Sequence, residues 1–151
     1  MSYKIIVDGN MHKFSSAHFV IGHDKCGRIH GHNFHVGVEV SGPLDGRHFV
    51  LDFMDVKKAI KAEVDMLDHR ILLPTGAKDL VLKEINGSLE FTQSGKKYVL
   101  PKEDACLLPL PAITSELLAK HFHDALSRKF KGYKIKVRIG ETSSSFAEYG
   151  E

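Results

Sequence analysis

The chain has 151 residues, 42% hydrophobic and 26% charged, with 21 Lys and Arg against 19 Asp and Glu. That mixture excludes a disordered chain, and no apolar run approaches the ~20 residues a membrane-spanning helix needs. A net charge of +2 is too balanced to predict nucleic-acid binding. One domain over residues 1–151 is the expectation at this length. The start, MSYKIIVDGN, lacks the apolar core of a signal peptide, and the two cysteines, Cys26 and Cys106, fit a reducing cytoplasm.

Tyr3, Ile5 and Val7 share one face of an extended run that continues through Phe14, Ser16 and His18, predicting a first strand bent near Gly9. From His32, the apolar residues Phe34, Val36, Val38 and Val40 alternate with His35, Gly37 and Glu39 until Gly42 and Pro43, predicting a second strand antiparallel to the first. Asp52 or Asp55 can cap a helix with the inward stripe Val56, Ala59, Ile60, Val64 and Leu67, ending near Asp68. Thr114 or Ser115 opens a second helix, with Glu116 in its first turn and Leu118, Phe122, Ala125 and Leu126 on its apolar face. Gly132 closes it. Ile135, Val137 and Ile139 then alternate with Lys134, Lys136 and Arg138 in a half-buried strand ending at Gly140 and Glu141, and SFAEY, 145–149, predicts a short fourth.

Between the helices, Asn86-Gly87 divides LVLKEI from SLEFT and Ser94-Gly95 divides that from KKYVL, so 74–109 reads as a small β-meander insert with a type I′ turn at Asn-Gly. The order β-β-α-α-β-β around it predicts an α+β fold, two helices on one face of a four-stranded antiparallel sheet.

His30-Gly31-His32 is the sharpest chemical feature. In an extended chain residues two apart point to one side, so both imidazoles can reach one metal ion, and His18 can add a third nitrogen if the first two strands are neighbours. Three histidines without a fourth protein ligand is the pattern of a catalytic zinc; the same residues also occur as polar strand positions without metal. Cys26 has two readings, a fourth ligand closing a structural site, or a thiol activated by the nearby cation as base or nucleophile. Cys106, beside Leu107 and Leu108, reads as a buried hydrophobe. Asp68-His69 can relay a proton, or His69 can simply favour a helix C-terminus. Glu141 shares the parity of Ile135, Val137 and Ile139 and needs donors there, either an internal cation or the adjacent N–H groups of a guanidine-like heterocycle.

Together F-S-S-A-H at 14–18, C-G-R-I-H-G-H at 26–32, L-D-H at 67–69, T-S-E at 114–116 and G-E-T at 140–142 make the chain similar to the 6-pyruvoyltetrahydropterin and 6-carboxytetrahydropterin synthase family. The resemblance covers about 1–73 and 110–151, and leaves 74–109 as a decoration. It implies the tunnelling fold and a homohexamer built from two trimers. It implies zinc on His18, His30 and His32, with Cys26 as catalytic base and not a ligand, and Asp68 and His69 completing the proton-transfer set. Glu141 would clamp the pterin, with Thr114 and Ser115 adding contacts. The family's substrate is 7,8-dihydroneopterin triphosphate, and Lys25 and Arg28 flank Cys26 as cations for its phosphates.

Two outcomes are known in the family: a pyruvoyl side chain is retained, or it is cleaved to a 6-carboxylate with release of acetaldehyde, which feeds 7-deazaguanine synthesis for modified tRNA nucleosides. The three residues between Cys26 and the HGH motif resemble the carboxylate-forming branch. The rivals are a non-catalytic zinc or pterin-binding module and a cupin-like oxygenase. The latter wants a glutamate where Val36 and Gly37 stand, and two helices argue against its jelly roll.

Overall fold

A computed structural model describes residues 2–8 and 12–151; the bend expected near Gly9 lies outside the described residues. In chain order the elements are β1 (Tyr3–Val7), β2 (Lys13–His18), β3 (His30–Gly42), α1 (Phe53–Leu67), β4 (Arg70–Pro74), β5 (Val81–Ile85), β6 (Ser88–Gln93), β7 (Lys96–Pro101), β8 (Ala105–Leu108), α2 (Ser115–Lys129), β9 (Lys134–Gly140) and β10 (Ala147–Gly150).

The four-stranded sheet expected from the sequence is in fact seven-stranded, ordered β10-β9-β3-β2-β4-β8 with β1 also paired to β3. The three extra strands have simple origins. The first predicted strand is two strands, β1 and β2, while β4 and β8 are RILLP and ACLL, short unbroken apolar runs without alternation. Such runs suit parallel strands, and the pairings β2–β4 and β4–β8 are parallel, Leu72 facing Cys106. The sheet is therefore mixed. The antiparallel pairing of the first strand with the second does occur, at β1 and β3 with Tyr3 opposite Gly42, and the predicted fourth strand is β10. The meander forms its own sheet, β5-β6-β7. Its turns carry positive φ at both central residues, Asn86 (49°) with Gly87 (79°) and Ser94 (49°) with Gly95 (73°), the signature of type I′ hairpins.

The described chain divides into two compact units, the first comprising Met1–Phe14, Asn33–Met66 and Ser115–Glu151. There Val36, Val38 and Val40 of β3 pair with Ile139, Val137 and Ile135 of β9, all buried. Phe14 stacks on Phe34 at 4.9 Å and on Phe122 of α2 at 6.0 Å. Asp52 is the cap of α1, its side chain accepting the Met54 N–H at 2.8 Å, and Asp55 sits inside the first turn. The predicted stripe of α1 is buried throughout; on α2 Ala119 is buried and Ala125 only half-buried, a small rotation of the expected face. Glu39, on the opposite face of β3, is also buried, taking hydrogen bonds from Lys4 and Arg138.

The second unit comprises Ser15–His32 and Leu67–Thr114. Its core is Phe19, Ile71, Leu73, Leu89, Phe91 and Ala105, so the segment read as decoration supplies core residues. Phe91 stacks between Phe19 (5.8 Å) and Tyr98 (4.9 Å). Alternation on β6 explains this, because Leu89, Phe91 and Gln93 share one face and all three are buried.

Candidate metal centre and proton-transfer site

The second unit brings His18, from the end of β2, to His30 and His32, from the start of β3. One ligand atom from each lies within 4.8 Å of the other two. The ring centroids are 4.6 Å apart for His18 and His30, 5.2 Å for His18 and His32, and 5.0 Å for His30 and His32. Gly31 lets the strands close up, since a Cβ there would meet the Ser16 carbonyl oxygen at 3.2 Å. His18 is fully buried and the other two are half-buried.

Backbone carbonyls orient two of the rings. His18 Nδ1–H donates to the Ile113 carbonyl at 2.8 Å and His30 Nδ1–H to the Arg28 carbonyl at 2.7 Å. In the neutral tautomer this leaves the lone pair on Nε2, the arrangement metal-binding histidines adopt. The residues therefore fit a metal ion with three nitrogen ligands, and Cys26 stands outside that group. The two carbonyls are parts of the site that sequence reading missed, since a backbone acceptor has no residue-type signature.

Cys26 sits in the turn that leads from β2 to β3. Its N–H donates to His23 Nδ1 at 3.1 Å and its carbonyl accepts the Val20 N–H at 2.7 Å. The next residue must be glycine, because a Cβ at Gly27 would lie 2.3 Å from the His23 carbonyl oxygen. Cys26 is half-buried; Lys25 and Arg28 are exposed. Cys106 is a free thiol that is only half-buried, not the buried hydrophobe expected, because β8 lies at the sheet edge, where the neighbouring Leu107 is exposed. Burial still pushes its pKa up, against a smaller opposing effect of Arg70.

Asp68 and His69 follow α1 directly. His69 takes φ +58°, the left-handed turn that ends the helix. From there it is locked to β2: the Ser15 N–H donates to Asp68 Oδ1 at 2.8 Å, and the Ser15 carbonyl accepts the His69 N–H at 2.7 Å. His69 Nδ1–H in turn donates to Asp68 Oδ2 at 2.8 Å. The Ser15 amide, and then His69, hold the Asp68 carboxyl below its usual value, with partial burial opposing. The imidazole is 82% exposed and the carboxylate 38%. This is a carboxylate-oriented imidazole open to solvent.

Thr114 ends the second unit, next to the Ile113 carbonyl that orients His18. Ser115, the first residue of α2, and Glu141, half-buried immediately after β9, belong to the first unit.

The second unit thus holds a histidine cluster that fits a metal and, elsewhere in the same unit, the Cys26 thiol and the Asp68–His69 pair. The chain belongs to the 6-pyruvoyl tetrahydropterin synthase family, whose model matches residues 9–151. It is 40% identical over 136 residues to a Methanocaldococcus jannaschii protein provisionally named 6-carboxy-5,6,7,8-tetrahydropterin synthase, covering 85% of this chain and 83% of that one. It is 31% identical over 136 residues to the Aquifex aeolicus protein named 6-carboxy-5,6,7,8-tetrahydropterin synthase, covering 85% and 77%. The crystal structure of 6-pyruvoyl tetrahydropterin synthase from Plasmodium vivax shares the fold, with a TM-score of 0.91 at 23% identity over 100% of this chain and 98% of that one. Among the described residues no helix is long and apolar enough to cross a membrane.

Proposed function

We propose that this chain is a 6-carboxy-5,6,7,8-tetrahydropterin synthase, converting 7,8-dihydroneopterin triphosphate and water to 6-carboxytetrahydropterin, acetaldehyde and triphosphate in a 7-deazaguanine pathway. The observation that carries the reading is the three-histidine cluster, in which His18 and His30 donate their Nδ1 hydrogens to backbone carbonyls. The relatives named for the carboxy enzyme favour that branch over the pyruvoyl one.

His18, His30 and His32 would hold zinc, which when bound supplies Lewis-acid polarisation of the oxygens on the substrate side chain. Cys26 takes a proton from that side chain. His69 keeps its Nδ1 proton on Asp68 and exchanges protons through Nε2, its accessible nitrogen, while Asp68 stabilises the imidazolium formed in passing. Glu141 accepts two parallel hydrogen bonds from the pterin edge, and Thr114 and Ser115 add polar contacts. The reading includes a homohexamer of two trimers in the cytoplasm. Open ladder edges at β10 and β8 support association, and light scattering on the purified protein measures it.

The deciding experiment incubates zinc-loaded protein with 7,8-dihydroneopterin triphosphate and identifies products by mass spectrometry. Acetaldehyde with 6-carboxytetrahydropterin is the expected result; a pyruvoyl product moves the chain to the other branch, and intact substrate overturns the enzyme reading.

A further inference from the structure

We propose that Gln93, on the meander, is a positioning residue for the turn that carries Cys26. The inference rests on the catalytic role given to Cys26 above. Gln93 is 1% exposed, and its Nε2 donates to the Gly27 carbonyl at 2.8 Å, across 66 positions of sequence. That carbonyl belongs to the residue directly after Cys26.

The bond completes a set of restraints on the turn. The Cys26 N–H is fixed by His23 Nδ1, the Cys26 carbonyl by the Val20 N–H, and the Gly27 N–H by the His23 carbonyl at 2.8 Å. All three lie within the turn itself, so they fix its internal shape and leave its placement open. Gln93 supplies an anchor from outside. Its own strand is rigidly seated, because Leu89 and Phe91 on the same face of β6 lie in the core and Phe91 stacks on Phe19, the residue at which the turn begins. One strand of the meander thus grips the turn at its first residue by packing and beside its cysteine by a hydrogen bond.

The amide is poorly explained as a stability device. Its Oε1 is buried with no hydrogen-bond partner among the described residues, so the bond to Gly27 is held at the cost of a desolvated acceptor. A buried polar group that is only half satisfied fits selection for placement of the turn.

The test is Gln93→Met in the metal-loaded protein, with Gln93→Asn, one methylene too short to reach, as a second variant should the first fold badly. Three quantities are read: steady-state kcat and KM, the iodoacetamide alkylation rate of Cys26 followed by peptide mass spectrometry with Cys106 as internal control, and the urea midpoint. Expected are a kcat loss of roughly 10- to 100-fold with KM and bound metal retained, faster alkylation of Cys26 alone, and in Gln93→Met a midpoint lowered by no more than one lost hydrogen bond accounts for. Parental kcat and parental alkylation in both variants would overturn the proposal, as would a loss explained wholly by a lowered midpoint. Full turnover by Cys26→Ala would instead remove the role assigned to the thiol, while the alkylation rates would still report whether Gln93 holds the turn.

Discussion

The Nδ1 of His18 and the carbonyl of Ile113 meet at 2.8 Å across 95 positions of sequence, so a candidate metal ligand on β2 is aimed by the residue two before α2. Loss of such an outer contact typically weakens metal binding about 10- to 100-fold, and loss of a ligand should do at least as much. His32→Ala is therefore expected to come through dialysis without metal while the parent keeps about one ion per chain. Elemental analysis checks it, and unchanged stoichiometry would remove His32 from the ligand set.

Cys26→Ala separates thiol chemistry from metal binding, because the cluster of ligand atoms does not include the cysteine. Turnover should fall by about 10²- to 10⁴-fold, the usual contribution of a positioned base, with metal content unaltered. A variant that lost its metal as well would restore the fourth-ligand reading.

Asp68→Asn tests the carboxylate–imidazole pair. The folded pKa of Asp68 lies below its unfolded one, so its stabilising effect is complete above pH ~4 and disappears as pH falls through the lower folded value. The variant should flatten that acid limb of the unfolding curve, and only modestly, since the carboxylate is 38% exposed. Its kcat should drop as well, because an amide cannot stabilise the imidazolium of His69. Parental pH–rate and pH–stability profiles together would exclude the pair.

His121 of α2 predicts a second, milder pH dependence. Burial lowers its pKa, ahead of the opposing attraction of Glu63, whose carboxylate lies 3.7 Å away. The unfolded chain therefore takes up the proton first, and stability is lost as pH falls through ~6.5 toward the lower folded value. His12, lowered by burial and Lys57, acts in the same direction. Urea midpoints at pH 7.5 and 5.5 should differ less in His121→Asn than in the parent.

Phe91→Ala probes the second unit's core. The side chain is fully buried between two rings, and its truncation should cost about 3–5 kcal/mol by urea titration. A loss below about 1 kcal/mol would mean that the meander is the appendage its sequence position suggested.

Where side chains repeat with a period, the sequence was readable. Phe34 to Val40, Val56 to Leu67 and Ile135 to Ile139 each announced an element, and the HGH spacing announced the cluster. The strands RILLP and ACLL were invisible because a parallel strand apolar on both sides has no alternation to detect. Gln93 escaped notice for a related reason: a single glutamine at the end of an amphipathic strand looks like solvent-facing polarity until Leu89 and Phe91 show which way that face points. The Ile113 and Arg28 carbonyls could not be read at all, since every residue has one.

The parallel pair β4–β8 also shapes how this chain must fold. Parallel neighbours cannot be joined by a tight turn, and the link usually runs through a helix. Here it runs through two hairpins with I′ turns, whose contacts are local and form on the microsecond scale. Once they zip, the free chain between Pro74 and Ala105 contracts to its short flanks, and the entropy of closing Leu72 onto Cys106 falls accordingly. The meander thus acts as a kinetic splint for the slowest kind of strand pairing in the molecule, and lengthening either hairpin loop should retard refolding more than it alters the final stability.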